Sequence, residues 1–299
     1  MNNLDSEITT LSNSLLNELT KAFGIAQDSI LGQALYPLFI KATLKFAEIG
    51  VGLDRVVAED GVSAGARWVL PRFVKNHFAR GVENIPDNGP VIIAANHPAA
   101  YDSVVISAHV HRPDYKIIIG EIPFFQELPH ISQYAIYAPN PDNIHGRMQT
   151  IRKSIRHLQD GGALLIFARG GIEADPAFMP NPDAEFELWS RSLEIFLRRV
   201  PETRVLATIV SGVIARSAFR NPITWLRRKR PDRQRLAFML QMIRQIMTGR
   251  EFFGLVPRVS FGNLINLSVS DNPKDALNAI TQSARNTLRS HLNWHIQQA

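Results

Sequence analysis

The sequence predicts an α/β protein in which helices cover a sheet, preceded by a helical N-terminal segment. Two observations support this fold class: from residue 80 onward, apolar runs of strand length occur, and they alternate with segments whose apolar residues recur at helical spacing. A third observation is size. The 299 residues, with 45% hydrophobic content, suffice to bury a full core, as one large domain or as one domain with a helical extension.

Residues 1–79 are predicted to form the helical N-terminal segment. Apolar residues recur there at helical spacing, namely Leu11, Leu15, Leu16, Leu19 and Phe23, and the apolar theme continues at Leu35, Phe39, Leu44 and Phe46. The most apolar part, residues 29–40, contains Pro37 and falls short of the roughly 20 apolar residues that a membrane span needs. Two interpretations stay open: the helices cap the core, or their surface dips into lipid with the support of Lys21, Lys41 and Lys45.

Residues 80–299 are predicted to form the α/β domain. Strands are expected at residues 91–95, 115–119, 134–138, 163–168 and 205–210, with an edge strand within 253–267. Helices are expected at residues 101–110, 144–158 and 186–200, and at the C-terminus, where Asn272 and Pro273 fit the N-cap and the first helical position. This alternation excludes an all-helical or an all-β protein.

The strand at residues 91–95 leads directly into a histidine and, five residues later, an aspartate. Because the strand ends at Asn96 and a helix begins near Tyr101, a loop and a helix start allow His97 and Asp102 to meet. A carboxylate that binds one imidazole nitrogen leaves the other nitrogen to accept a proton from a hydroxyl group. The pair is therefore predicted to be a general base and its partner, at the carboxyl end of a strand where α/β folds place their chemistry. The alternative is that His97 bonds a loop carbonyl and Asp102 is only an N-cap.

A rival catalytic hypothesis is a serine hydrolase. Residues 61–65 read GVSAG and match the Gly-x-Ser-x-Gly pattern of a nucleophile elbow, with Ser63 as the nucleophile. That motif needs a strong strand directly before it, whereas the preceding residues here are Ala58, Glu59 and Asp60. The context favours a plain turn.

Charge and composition restrict the partners. The chain has 33 Lys and Arg residues against 27 Asp and Glu, a net charge of +6 and a sequence pI near 9.8, which suits an anionic surface or anionic substrates. It contains no cysteine, which excludes a disulfide framework and a thiolate metal site. The polar, partly acidic N-terminus lacks the features of a signal peptide, so a cytoplasmic location is expected.

Two pairs of histidines have spacings that a metal ion accepts. They are His291 with His295 and His109 with His111. Neither pair has an obvious carboxylate that would complete a site. Both are therefore interpreted as surface or packing residues, and no metal site is predicted.

The stretch NHPAAYD, residues 96–102, resembles the Asn-His-x-x-x-x-Asp signature of the glycerolipid acyltransferases, the family that contains glycerol-3-phosphate and lysophosphatidate acyltransferases. The lead-in GVENIPDNGPVIIAANH is also similar, and the resemblance extends over residues 80–213. It implies an acyltransferase-like fold and acyl transfer from acyl-CoA or acyl carrier protein to a hydroxyl group of a lysophospholipid or glycerol-phosphate-like acceptor, without a further cofactor. In this family the histidine deprotonates the acceptor and the aspartate orients the histidine, roles that fall to His97 and Asp102.

The strand ending at Phe167 leads into ARGGIEAD, the counterpart of the family's Phe-Pro-Glu-Gly-Thr-Arg-Ser block. Two glycines at a strand end let a phosphate or a thioester oxygen approach the backbone, and an arginine adds charge. The residues predicted to bind substrate are Asn96, Arg169, Gly170, Gly171 and Glu173. The alternative for this block is a plain glycine turn, because Arg169 stands in place of the family's glutamate and Ile172 in place of its arginine.

The blocks that hold the acceptor also differ from the family. Residues 136–143 read IYAPNPDN, with no arginine until Arg147, where the family usually holds the acceptor's phosphate. Ser211 stands where the fourth block commonly ends in proline. Family resemblance thus favours a phosphate-bearing acceptor, and the local residues do not. A non-catalytic lipid-binding relative is the alternative, although a binding protein has no need of a base and an orienting carboxylate.

A basic amphipathic insertion is predicted around residues 216–247. Its basic residues are Arg216, Arg220, Arg227, Arg228, Lys229, Arg230, Arg233 and Arg235. They flank Trp225 and Leu226, a combination that suits an anionic bilayer surface, so peripheral membrane association is predicted. Nucleic acid is not predicted as a partner because no binding motif is recognised, and a solvated face is the remaining alternative.

Overall fold

A computed structural model describes residues 3–23, 29–140, 142–266 and 273–297 of the chain. The α-helices in these ranges are α1 (Asn3–Phe23), α2 (Ile30–Val69), α3 (Tyr101–Ser107), α4 (Pro123–Gln126), α5 (Pro129–Ser132), α6 (Ile144–Gln159), α7 (Ser192–Arg199), α8 (Arg216–Phe219), α9 (Arg230–Thr248) and α10 (Pro273–Gln297). The strands are β1 (Phe78–Arg80), β2 (Val91–Ala95), β3 (Tyr115–Gly120), β4 (Ala135–Ala138), β5 (Ala163–Phe167), β6 (Arg204–Ser211) and β7 (Arg258–Asn266). Short 3-10 helices lie at Leu70–Arg72, Val82–Asn84, Pro182–Leu188 and Pro222–Leu226.

The strands form one sheet in the order β1-β7-β6-β2-β5-β3-β4, and neighbours are parallel except for the antiparallel pair of β6 and β7. The predicted α/β fold class is thereby confirmed. Every residue of the central strand β2 is buried, as expected for a parallel strand that is covered on both faces. Ala95 at its end is paired with Phe167 of β5 and Thr208 of β6. The carboxyl ends of β2, β5 and β6 therefore lie side by side.

A hydrophobic core on the sheet supports these strand ends. Ile92 and Leu164 enter it from β2 and β5, and Leu158, Phe196 and Ala284 enter it from α6, α7 and α10. Truncating a fully buried leucine or isoleucine to alanine typically costs about 2–5 kcal/mol. The loops that follow β2 and β5 thus start from strands that close packing holds in place.

The chain groups into two compact units. One comprises Met1–Lys75, Glu121–Gln133 and Ala215–Leu255, and the other comprises Asn76–Gly120, Tyr134–Ile214 and Val256–Ala299. The second unit contains the whole sheet, the His97 and Asp102 pair and every residue predicted to bind substrate. The boundary expected between residues 79 and 80 stays a prediction.

Helix packing and polar contacts hold the first unit together. α1 packs on α2, where Ser12 Oγ lies 2.8 Å from Thr43 Oγ1. Asp54 of α2 accepts hydrogen bonds from the backbone N–H groups of His130 and Ile131 and lies 2.8 Å from His130 Nδ1. The helical N-terminal segment is therefore present, as predicted. Over the described ranges, none of the helices combines the length and the apolarity that crossing a membrane requires.

Four predicted elements need correction or fall outside the described residues. The helix expected at residues 101–110 ends at Ser107. β7 is an interior strand and not an edge strand, because β1, which the sequence pattern did not reveal, pairs with its outer side. The helix expected at residues 186–200 is α-helical only from Ser192, because Ser190 leaves the helical path and its N–H donates to Ala168 O at 2.7 Å. Asn272, expected as the N-cap of the last helix, lies outside the described residues.

Candidate active site

The histidine loop, residues 96–100 between β2 and α3, brings His97 and Asp102 into contact. His97 Nδ1 lies 2.8 Å from Asp102 Oδ2. The same oxygen accepts a hydrogen bond from Ala99 N–H at 3.1 Å, and Oδ1 accepts one from Ser103 N–H at 2.6 Å. Asp102 lies within the first turn of α3, and the N-cap position belongs to Ala100. The alternative that Asp102 is only an N-cap is therefore wrong.

Burial sets the electrostatics of this pair. Asp102 is fully buried, whereas 24% of the His97 side chain is exposed. Burial raises the pKa of the Asp102 carboxyl, and His97 together with the N–H groups of Ala99 and Ser103 opposes that rise. Because an ionised carboxylate only accepts hydrogen bonds, the contact assigns the imidazole proton to Nδ1 and makes Nε2 the proton acceptor. This is the geometry of a general base with an orienting carboxylate.

Phe167, the last residue of β5, stacks on the imidazole. The ring centroids of His97 and Phe167 are 4.2 Å apart and the rings are inclined by 28°. The contact follows from the strand register, since Phe167 is paired with Ala95, two residues before His97. Sequence reasoning did not select Phe167 as a site residue. Its place at the end of the strand next to β2 is the signal that identifies it.

Asn96 holds the histidine loop against β6. Its Nδ2 donates to Val210 O at 3.0 Å, and its Oδ1 accepts from Val210 N–H at 2.8 Å. Asn96 and Val210 are both buried, and the side-chain amide bonds Val210 as a neighbouring strand would. Asn96 thereby fixes the backbone directly before His97. Its predicted contact with substrate stays a prediction.

The glycine loop, residues 168–175 after β5, is open at its two glycines. Gly170 has a φ of +72°, which favours glycine, and a Cβ built at Gly170 or Gly171 meets no atom within 4 Å. The neighbouring Arg169 Nη1 lies 2.7 Å from Glu185 Oε2 and donates to Ile172 O at 2.6 Å. The loop therefore leaves space for a substrate group, while a carboxylate partly balances its arginine.

Glu173, which was predicted to bind substrate, is buried beside the histidine loop. Its Oε2 accepts from His97 N–H at 2.8 Å, and its Oε1 accepts from Trp189 Nε1–H at 3.0 Å. Burial raises the pKa of the Glu173 carboxyl to about 7, and the charge of nearby Glu185 adds to the rise. Sequence reasoning missed Trp189, because it lies in a segment that was expected to be helical.

Asp175 anchors the glycine loop to the end of β6 and was not singled out in the sequence. Its fully buried carboxylate accepts hydrogen bonds from the N–H groups of Gly212 at 2.8 Å, Val213 at 3.1 Å and Ile214 at 3.3 Å, and from Ala177 N–H at 2.9 Å. A buried carboxylate with four N–H donors therefore fixes the glycine loop to the backbone that follows β6.

Ser63 does not lie in a nucleophile elbow. It belongs to α2, and the residues before it are helical apart from a kink at Gly61, which has φ 82° and ψ 173°. The Ser63 Oγ accepts a hydrogen bond from Arg67 Nη1 at 2.7 Å, one helical turn further on. The serine hydrolase hypothesis is wrong, because helix and not a strand precedes the motif. The turn expected at residues 61–65 is present only as the kink at Gly61, after which Ser63 is helical.

Of the two histidine pairs, His291 and His109 make packing contacts, and His111 is exposed. His291 is buried between Ser211 Oγ at 2.7 Å and Ser260 Oγ at 2.8 Å, and the side chain of His295 lies outside the described residues. His109 Nε2 lies 3.1 Å from His77 Nδ1. Among the described residues there is no group of three His, Cys, Asp or Glu side chains that suits a metal ion.

The basic insertion lies in the first unit and exposes apolar side chains between its arginines. The 3-10 helix Pro222–Leu226 presents Ile223, Trp225 and Leu226, which are 47%, 64% and 81% exposed. Arg220, Arg228 and Lys229 beside it are also exposed. The membrane surface and the solvated face both stay predictions for this insertion.

Comparison with known proteins finds a family model and similar solved structures. Residues 77–195 match the family model described as Acyltransferase. The crystal structure of the 1-acyl-sn-glycerophosphate (LPA) acyltransferase PlsC from Thermotoga maritima is similar to this chain with 12% sequence identity and a TM-score of 0.48, over 96% of this chain and 98% of that one. No curated protein matches the sequence significantly. The range of the family model contains the histidine loop, α3 and the glycine loop.

Proposed function

We propose that the chain moves a fatty acyl group from an acyl thioester to a hydroxyl group of a lysophospholipid or glycerol-phosphate-like acceptor at a membrane surface. The match of residues 77–195 to the Acyltransferase family model supports this proposal. Acyl transfer is the part of the proposal that the family-model match supports. The thioester donor, the base and the membrane are parts of the proposal that the comparisons do not address. The observation that carries it is the 2.8 Å contact between His97 Nδ1 and Asp102 Oδ2 at the end of β2.

The reaction needs one proton acceptor and no protein nucleophile. His97 Nε2 takes the proton of the acceptor hydroxyl while the oxygen attacks the thioester carbonyl. The carbon–sulfur bond then breaks, the acyl group remains on the acceptor oxygen, and the departing thiolate takes the proton from the imidazolium. Asp102 holds Nδ1–H and stabilises the imidazolium that forms between the two steps.

The glycine loop supports the binding of an oxygen-rich substrate group. Gly170 and Gly171 carry no side chain that would block the approach of a phosphate or a thioester oxygen to the backbone. Phe167, which stacks on His97, comes three residues before Gly170. A substrate group at these glycines therefore lies next to the strand whose last residue contacts the proposed base.

Arg169 is the cation that a phosphate-bearing acceptor would meet at the glycine loop. Its present partners are the Glu185 carboxylate and the Ile172 carbonyl. An acceptor phosphate and Glu185 compete for the same guanidinium, because both are anions that bind its N–H groups. Removal of Arg169 is therefore expected to weaken acceptor binding, and removal of the Glu185 charge is expected to strengthen it.

Arg169→Ala is expected to raise the KM for lysophosphatidate by about tenfold or more, because a hydrogen bond to a charged group is lost, and to change the KM of the thioester donor much less. Glu185→Gln, a variant of nearly the same shape, is expected to lower the KM for lysophosphatidate. Initial rates with lysophosphatidate, glycerol 3-phosphate and a phosphate-free monoacylglycerol measure both effects. A preference for monoacylglycerol that neither substitution changes would refute the phosphate-bearing acceptor.

Membrane contact is proposed for the 3-10 helix Pro222–Leu226 and the basic residues beside it. Trp225 and Leu226 supply apolar groups that insert at the headgroup level, and Arg228 and Lys229 supply exposed positive charge next to them. Proximity to a bilayer also suits an acceptor that is a lipid. Anionic phospholipid is therefore the expected partner of this surface.

Replacing Arg227, Arg228, Lys229 and Arg230 together with glutamine is expected to weaken binding to anionic vesicles, by about 1 kcal/mol for each charge near the surface. Added salt is expected to have the same effect on the unmodified protein. Co-sedimentation with phosphatidylserine-containing vesicles measures both. The charge-matched control replaces Arg152, Lys153, Arg198 and Arg199, which are exposed on α6 and α7. If both variants lose vesicle binding equally, the basic insertion is a solvated face and not a membrane contact.

A further inference from the structure

A reciprocal pair of hydrogen bonds ties the histidine loop to the glycine loop. His97 N–H donates to Glu173 Oε2 at 2.8 Å, and Glu173 N–H donates to His97 O at 2.8 Å. The carboxylate of Glu173 and the backbones of both residues take part. A displacement of Glu173 therefore moves the backbone of His97 directly, and the imidazole with it.

A third segment holds the other oxygen of this carboxylate. Trp189 Nε1–H donates to Glu173 Oε1 at 3.0 Å, and both residues are buried. The indole packs edge-on against Phe186, with ring centroids 5.1 Å apart. Each oxygen of Glu173 thus faces an N–H donor. An ionised carboxylate accepts from both, whereas an amide or a protonated acid turns one of its two ends into a donor.

We propose that Glu173 is a positioning residue for His97: held as a carboxylate by Trp189, it fixes the backbone of His97 and places a second negative charge near the imidazolium that forms during acyl transfer. This rests on the proposed role of His97 as the base. Asp102 binds the ring through Nδ1, and Glu173 binds the backbone N–H. The two carboxylates therefore act on different parts of the same residue.

The charged groups around Glu173 come from each neighbouring element. Glu185, in the 3-10 helix Pro182–Leu188, raises the pKa of Glu173 further after burial, and the Trp189 and His97 contacts lower it. Arg169 of the glycine loop pairs with Glu185, and Asp102 approaches from α3 through the imidazole. The outcome is a carboxyl with a pKa of about 7, which is ionised above that pH and takes up a proton as the pH falls below it.

This arrangement has a consequence for the pH profile of the enzyme. As the pH falls, protonation of His97 removes the base. Protonation of Glu173 converts one of its carboxylate oxygens from an acceptor to an O–H donor, which conflicts with the N–H donor that faces it. The acidic limb of log kcat/KM is therefore expected to steepen from a slope of about one toward about two in the unmodified protein. A residue whose protonation state does not change over this pH range does not add a proton to this limb.

Glu173→Gln is expected to lower kcat by about 10- to 100-fold, the worth of one hydrogen bond to a charged group, with little change in either KM. Its acidic limb is expected to keep a slope of about one, because the amide does not titrate. Trp189→Phe keeps an aromatic ring against Phe186 but removes a bond that lowers the pKa of Glu173. Its acidic limb is therefore expected to move to higher pH.

Asp175→Asn is the matched control, because Asp175 is a buried carboxylate of the same loop whose N–H donors lie elsewhere. It is expected to lower the melting temperature and to leave the slope of the acidic limb unchanged. Circular dichroism establishes folding for every variant. If Glu173→Gln does not fold, the displacement of the acidic limb in Trp189→Phe decides the question.

A readout independent of turnover separates this inference from the proposed function. Nitrogen-15 NMR follows the titration of the His97 imidazole, and its midpoint is expected to fall in Glu173→Gln because a nearby negative charge is removed. If acyl transfer is absent but the midpoint falls, the proposed function fails and the coupling stands. An unchanged midpoint, or an acidic limb with the same slope and position in wild type, Glu173→Gln and Trp189→Phe, would overturn the role of Glu173.

Discussion

His97→Ala is expected to lower kcat by about 10²- to 10⁴-fold, the typical worth of general-base assistance, and to leave the fold intact. The side chain is partly exposed at the end of β2, and the bonds that shape the histidine loop come from its backbone and from Asn96. Removing the imidazole therefore takes away the proton acceptor but not the structure that holds it. Steady-state rates with a labelled acyl thioester measure the loss.

Ser63→Ala is the control for that experiment. Ser63 lies on α2 and bonds Arg67, so its replacement is expected to leave turnover close to that of the unmodified protein. Near-normal turnover in a folded His97→Ala variant contradicts the mechanism. A large loss in Ser63→Ala contradicts the rejection of the hydrolase hypothesis.

Asp102→Asn is expected to lower kcat by about 10²-fold or more, because the imidazole loses the carboxylate that selects its tautomer and stabilises its charge. In this chain the amide meets a further conflict. Oδ2 accepts from both His97 and Ala99 N–H, and Oδ1 accepts from Ser103 N–H, so an NH₂ group at either position faces a donor. Rates and circular dichroism together separate lost catalysis from lost folding.

The comparison variant for Asp102→Asn is Asp175→Asn, which also removes a buried charge that several backbone N–H groups hold. It is expected to affect stability more than turnover. If the loss of activity follows the loss of stability by the same relation in both variants, Asp102 acts only as a structural residue.

The strands and helices that the sequence predicted well have strong local patterns. β2 consists of β-branched and small apolar residues that are buried on both faces, and its expected and observed bounds agree. α6 shows a clear apolar stripe and ends at Gln159, two residues before Gly161 and Gly162. The three-residue strand β1 and the interior place of β7 were missed, because each depends on pairing between distant segments.

In the candidate site, too, local contacts were predicted from the sequence and contacts between distant segments were not. The approach of His97 to Asp102 was predicted because a spacing of five spans a loop and a helix start, which local rules describe. The bonds of Glu173 to His97 and Trp189, and the pairing of Arg169 with Glu185, join residues 16 or more positions apart. No local pattern marks such contacts, so the sequence did not reveal that Glu173 is buried and bonded to His97 and Trp189.

The measurement that tests the central claim most directly follows a radiolabelled acyl group from acyl-CoA and from acyl carrier protein to a panel of hydroxyl acceptors, with the unmodified protein and His97→Ala side by side. The account expects label in an ester of a glycerolipid acceptor with the unmodified protein, and almost none with His97→Ala. It is contradicted if neither donor yields an acylated product or loses its acyl group to water, or if the folded His97→Ala variant forms the ester at the unmodified rate.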